Sequence, residues 1–249
     1  MKRNSIAENS LPLQPLVEAL IWYEPATPDL SIAAYVDDGS LTEAEFMSCL
    51  PVAEQTQATR FTNITERRHF IARRSFQRLF LCVVSGWNKK PSDLSIVNAL
   101  DTAPHCIDFP ELHFSFSSSG ATAIACASGS RALGIDVERT RPIANVLELA
   151  LRYFEPDEAA AVSALPPQDQ NQHFLLHWTA KEAGLKAAGR GIISGLNLFT
   201  LQRDDQNMAY RITGPAEIGA NWRLQHIELL PFHVIALVEK ISVDKPTRA

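Results

Sequence analysis

The chain has 249 residues and a mass of 27.6 kDa, long for one compact unit and short for three. Lys and Arg number 23 against 28 Asp and Glu, a formal charge of −5 that argues against general nucleic-acid binding. Apolar residues make up 46% and charged residues 20%, which excludes wholesale disorder, and the apolar runs are too short for a transmembrane helix of the usual length. In chain order, Glu18 to Trp22 reads as a first strand. Ser40-Leu41-Thr42-Glu43 opens a helix, with Ser40 as N-cap and Glu43 at the reciprocal position, and a second helix follows Pro51. Thr65 to Val84 is the clearest helix of the first half. Phe70, Phe76, Phe80 and Val83 recur near helical spacing, Arg67, Arg68, Arg74 and Arg78 supply polar surface, and Gly86 closes it.

From Leu112 the period changes to two. Leu112 to Ser117, Thr122 to Ser128 and Ala132 to Glu138 read as strands, joined by turns at Ser118-Ser119-Gly120 and Gly129-Ser130-Arg131. Helices return at Ala144 to Tyr153, Pro156 to Leu165 and Asp169 to Ala188, the last stopped by Gly189. Leu196 to Leu201, Tyr210 to Thr213, Trp222 to Glu228 and Val234 to Val238 read as closing strands, before a loose tail. This order predicts an α+β fold rather than a doubly wound parallel sheet. The turn near Ser130 divides it into an N-terminal half, 1–130, and a C-terminal half, 131–249. Cys49, Cys82, Cys106 and Cys126 lie 33, 24 and 20 residues apart, so neither a zinc knuckle nor a redox pair is visible. With no signal-peptide core after Lys2-Arg3, the expectation is a cytoplasmic protein with reduced thiols and no membrane association.

Two stretches carry chemistry. In Gly134-Ile135-Asp136-Val137-Glu138, residues two apart on a strand share a face, so Asp136 and Glu138 project side by side. Adjacent carboxylates repel unless a cation lies between them, and oxygen ligands on a rigid strand suit Mg²⁺; the competing reading is a solvated strand face. In Trp178-Thr179-Ala180-Lys181-Glu182-Ala183-Gly184-Leu185-Lys186, Glu182 and Lys186 share a helix face. The competing reading there is a routine surface ion pair. Against it stand Gly184, costly in a helix unless something approaches closely, and Lys181, whose added charge suits an anionic ligand. Together the stretches offer three carboxylates for a metal and two lysines for phosphate, the equipment for phosphoryl-type transfer from a diphosphate.

A Gly-Ile-Asp-x-Glu strand followed by a Trp-x-x-Lys-Glu-x-x-x-Lys helix, with 42 positions from Asp136 to Trp178, resembles the 4′-phosphopantetheinyl transferases, specifically the larger, monomeric, surfactin-synthetase-activating type. Arg60-Phe61, the Arg-rich helix, the Phe114 to Ser117 strand, Arg139 to Pro142 and Phe154-x-x-x-Glu158 extend the likeness over most of the chain. The resemblance implies two similar α+β halves related by a pseudo-twofold, with coenzyme A in a cleft between them. It implies transfer of the phosphopantetheine arm of coenzyme A to a serine of an acyl or peptidyl carrier protein, releasing 3′,5′-ADP. By position, Asp136, Glu138 and Glu182 hold Mg²⁺, Glu182 also activates the serine, Lys186 serves the leaving phosphate, and Lys181 holds phosphate beside it. Arg60, Arg68, Ser117 and Ser118 fall at coenzyme A contacts.

The chain also departs from the pattern. Ser118 stands where the family has a phosphate-contacting histidine, Thr102-Ala103-Pro104 where it has Gly-Lys-Pro, and Glu54 and Gln57 where it has lysines. Binding of the 3′-phosphate then falls to Arg60, Arg67, Arg68 or Arg74, whose competing reading is a solvated helix face. The rival function is a family relative that binds a carrier domain or a nucleotide without turnover.

Overall fold

The structure, a computed structural model, describes residues 13–25, 27–98, 102–191, 195–204, 209–214 and 221–241. The Lys2-Arg3 start and the predicted tail lie outside the described residues. The chain divides into two compact units. One comprises residues 1–97, 105–112 and 116–129, and the other residues 98–104, 113–115 and 130–249.

The first unit opens with a short helix, α1 (Gln14–Glu18), where the sequence predicts the start of a strand; Pro15 in its first turn favours the helix, and strand β1 is displaced to Ile21–Tyr23. Strand β2 (Leu30–Val36) has no counterpart among the predicted elements. It is buried on both faces, so its sequence shows no alternation to betray it. Helix α2 (Glu43–Met47) is capped two residues later than predicted. Thr42 Oγ1 accepts from Glu45 N–H, and Glu45 Oε2 accepts from Thr42 N–H at 2.6 Å. Leu41 is buried and its carbonyl accepts from Arg68, which holds it outside the helix. Helix α3 (Val52–Ala58) follows Pro51 as expected.

Helix α4 (Ile64–Ser85) begins where Asn63 Oδ1 accepts from the N–H groups of Thr65 and Glu66, and ends at Gly86 in the left-handed region, φ 70°. Its apolar face buries Phe70, Ile71, Phe76, Leu79 and Phe80, and Phe76 and Phe80 stack with Tyr35 and Trp22. Its polar face ties the unit together: Arg78, 4% exposed, shares Glu54 with Arg74 and donates to the carbonyls of Pro91 and Leu94. Two short strands, β3 (Ile96–Val97) and β4 (His105–Cys106), pair beside it. Strands β5 (His113–Ser119) and β6 (Thr122–Ser128) complete a four-stranded sheet in the order β1-β2-β6-β5; the first three residues of β5 belong to the second unit.

The second unit is built on β7 (Leu133–Arg139), α5 (Val146–Tyr153), α6 (Pro156–Ser163) and α7 (Pro167–Ala187). A strand predicted over Leu196 to Leu201 starts instead with a 3₁₀ turn, Leu196–Leu198, after Gly195 at φ 91°, and β8 (Thr200–Asp204) pairs with β9 (Ala209–Thr213). Strands β10 (Asn221–His226) and β11 (His233–Ile241) join β7 in a sheet of order β10-β11-β7, with Asp136 opposite Ala236 and Glu138 opposite Val234. Every strand pairing given residue by residue is antiparallel, as an α+β fold requires. Among the described residues, no helix is long and apolar enough to cross a membrane, and all four cysteines are free and buried. Burial pushes the Cys49 and Cys82 thiols up, to about 11 and about 12, so both stay protonated and unreactive.

Candidate active site on strand β7 and helix α7

The close approach that Gly184 suggests is real, and a second glycine completes it. At Gly134 on β7, a Cβ would stand 2.1 Å from the Ala183 carbonyl oxygen and 2.5 Å from Ala187 N, so α7 lies directly on the strand backbone. On another side of the helix, a Cβ at Gly184 would meet the Phe199 ring at 2.9 Å. The helix thus sits between a strand and a buried aromatic with only hydrogen atoms at both contacts. Ala180 and Ala183 keep this part of the helix thin, and both are fully buried.

This packing sets Glu182 and Lys186 against β7. Lys186 Nζ donates to Asp136 Oδ1 at 2.7 Å and to the Ile135 carbonyl at 3.1 Å, and lies 4.0 Å from Glu182 Oε2. Asp136 is 2% exposed; its second oxygen, Oδ2, is buried and accepts no hydrogen bond among the described residues. Burial first, and then the charges of Asp136 and Glu138, push the Glu182 carboxyl up to about 7 against the attraction of Lys186. The Glu182 carboxyl therefore feels both strand carboxylates, and the Lys186 ammonium offsets part of their effect on it. Among the described residues, no group of three or more acidic, histidine or cysteine side chains is placed to hold a metal ion. What this group offers a hard cation is three carboxylates, Asp136, Glu138 and Glu182, a donor set of oxygens alone, with the charges of the first two acting on the third.

Lys181, expected to hold phosphate, is not brought to this group. It is fully buried, pairs with Glu158 Oε2 at 2.6 Å and donates to the Phe199 carbonyl. Glu158 accepts in turn from Leu201 N–H at 2.7 Å, so the lysine charge is already matched inside the unit. A cavity of about 450 Å³ on the far side of α7 is lined by Glu158, His173, His177 and Tyr210, and none of Asp136, Glu138, Glu182 or Lys186 reaches it. His177 there is held neutral, its pKa lowered to about 3 by burial, as a core histidine should be.

The expected nucleotide contacts lie on the first unit. Arg68 grips Asp37 through two hydrogen bonds of 2.6 Å, and Arg67 reaches Glu43 at 2.5 Å. Arg74 is committed to Glu54, the residue that stands at a family lysine position. Arg60 is exposed and makes no ion pair among the described residues. Ser117 and Ser118 are partly buried at the end of β5, and Ser118 Oγ accepts from Arg73 Nη1 at 3.4 Å.

A family model described as the 4′-phosphopantetheinyl transferase superfamily matches residues 132–238, which hold both motifs. The 4′-phosphopantetheinyl transferase HetI of Nostoc is 31% identical over 181 residues, covering 72% of each chain. Sfp of Bacillus subtilis strain 168 is 38% identical over 98 residues, 39% of this chain and 42% of its own. A further 4′-phosphopantetheinyl transferase of Bacillus subtilis is 33% identical over 110 residues, 44% of this chain and 48% of its own. The matches to the two Bacillus proteins thus span less than half of their length.

Proposed function

Since the chain belongs to the 4′-phosphopantetheinyl transferase family, we propose that it moves the phosphopantetheine arm of coenzyme A onto a serine of an acyl or peptidyl carrier protein. The serine oxygen forms a bond to the phosphorus that carries pantetheine, the bond from that phosphorus to the bridging oxygen breaks, and 3′,5′-ADP leaves. The single observation that supports this best is the meeting of Asp136, Glu182 and Lys186 across the Gly134 contact, two carboxylates and a cation held by backbone packing.

In this reading Asp136, Glu138 and Glu182 would hold Mg²⁺, since oxygen ligands suit a hard cation. When bound, the ion neutralises the diphosphate and polarises the phosphorus under attack. Glu182 takes the serine proton, directly or through a water. Lys186 turns from Asp136 toward the departing phosphate as charge develops there, a movement its flexible stem permits. Lys181 acts instead as a scaffold, holding α7 to Glu158. Each unit contains an antiparallel sheet and one long helix, of 22 and 21 residues, and this common content supports the proposal of two related halves.

The test is mass spectrometry of apo-carrier proteins, acyl and peptidyl, incubated with coenzyme A, Mg²⁺ and the protein. A gain of one phosphopantetheine, lost on omission of Mg²⁺ and in Asp136→Asn, is the expected result. No gain on any carrier, with coenzyme A still bound, would favour a binding protein over an enzyme.

A further inference from the structure

The cavity on the far side of α7 lies within the second unit alone, and the transfer chemistry makes no use of it. Its volume of about 450 Å³ is enough for a small organic molecule. Three of the residues that line it bring their rings together. The centroids lie 4.5 Å apart for His173 and His177, 5.2 Å for His177 and Tyr210, and 5.9 Å for His173 and Tyr210. The charge of the lining is negative: Glu155, Asp157 and Glu158 contribute to it, and among the described residues no lysine or arginine does. Glu158 is matched by Lys181, whereas half-buried Glu155 and exposed Asp157 form no ion pair among the described residues.

His177 adds a hydrogen-bond acceptor. It is 3% exposed, and its Nδ1 lies 3.0 Å from the His173 carbonyl oxygen, an atom that can only accept. Nδ1 therefore carries the hydrogen. Burial keeps the ring neutral, so Nε2 holds a lone pair, and it accepts no hydrogen bond among the described residues. A buried nitrogen without a donor is a cost that a ligand N–H removes. An anion would be repelled by the carboxylates, while a cation gains from them and from the faces of the rings. With no group of three or more side chains placed to hold a metal ion among the described residues, the cation this lining suits is organic. We propose that the cavity binds an organic ammonium ion, whose N–H donates to His177 Nε2 and whose charge sits between the rings and the carboxylates of Glu155 and Asp157. The site is separate from Asp136, Glu138, Glu182 and Lys186 and does not depend on the transferase reading.

The test is calorimetric titration of the full-length protein, in buffer containing Mg²⁺, with n-butylammonium and with n-butanol and butyrate, which share its chain but not its charge. The ammonium should bind saturably at one site, and the alcohol and the carboxylate at least about 10-fold more weakly, the loss of a hydrogen bond to a charged group. His177→Phe keeps an aromatic ring and removes the acceptor, so it should weaken n-butylammonium by about 10- to 100-fold. Asp157→Asn, at an exposed position that leaves the fold intact, should weaken it by about 2- to 5-fold, the effect of one solvated charge, and tests the site even where the buried substitution fails to fold. No saturable binding of n-butylammonium by the parent overturns the proposal. So does equal binding of the alcohol or the carboxylate, or parental affinity in Asp157→Asn or in a folded His177→Phe. None of these results bears on coenzyme A, whose transfer is read in its own assay.

Discussion

Replacing Gly134 by alanine adds one methyl group at the most demanding point of the site. That carbon would lie 2.1 Å from the Ala183 carbonyl oxygen, 2.5 Å from Ala187 N and 2.9 Å from Lys186 Cβ. Two of these neighbours are helix backbone, which has no rotamer to retreat into, so ordinary contact requires α7 to shift by about 1 Å or β7 to bend away. Overpacking of this kind costs about 1–3 kcal/mol, and a chain of this size should lose about 2–12 °C in melting temperature. The effect on transfer should be larger, because Glu182 and Lys186 ride on the displaced helix while Asp136 stays on the strand. A misplacement near 1 Å costs about 100-fold in rate. Gly184→Ala is the comparison. Its new carbon meets only the Phe199 side chain at 2.9–3.1 Å, and alanine favours the helix by about 1 kcal/mol, so it should be milder in both measurements. Carrier-protein transfer kinetics beside melting curves test the pair. Parental activity in Gly134→Ala, or a worse outcome for Gly184→Ala, would refute the idea that this contact sets the site.

The two lysines of α7 should separate cleanly. Lys181→Met strands a buried Glu158 and should cost about 3–5 kcal/mol of stability, whereas Lys186→Met should lose about 2–4 kcal/mol of transition-state stabilisation. Lys186→Met also leaves Asp136 without its ammonium, so Mg²⁺ should raise its melting temperature more than the parent's without restoring transfer; equal Mg²⁺ shifts would contradict this. The Glu182 carboxyl, raised by burial and its acidic neighbours from 4.5 to about 7, binds its proton more tightly in the folded chain. Its contribution to metal-free stability is therefore full below about pH 4.5 and is lost as the pH rises through about 7. Melting curves of the parent and Glu182→Gln should diverge across that window, and parallel curves would remove the perturbed carboxyl. Mg²⁺ should bind more tightly at about pH 8 than at about pH 6, since it must displace that proton.

The carboxylate and lysine motifs were legible because periodicity alone puts Asp136 with Glu138, and Glu182 with Lys186. Their meeting across 42 or more residues is not, since it depends on the close packing of α7 on β7 at Gly134, which no local pattern encodes. Lys181 misled for a related reason: its partner Glu158 lies on another helix, and adjacency to Glu182 in sequence means divergence on a helix surface. Strand β2 escaped because burial on both faces erases alternation. The end of α4 is legible because Gly86 is a local signal. The fate of its arginines depended on distant Glu43, Asp37 and Glu54, which no helical pattern encodes.

Because steric contact at Gly134 fixes where α7 lies on β7, the number of residues between them does not. Residues 140–166 connect them, and although α5 and α6 pack on α7, the loop right after Arg139 precedes those contacts. Lengthening the loop after Arg139 should change chain entropy by only about 0.6 kcal/mol per doubling and leave the register of Glu182 against Asp136 untouched. A peptide tag or reporter domain inserted there would then leave the seating of α7 on β7 intact, whereas one added carbon at residue 134 would displace it.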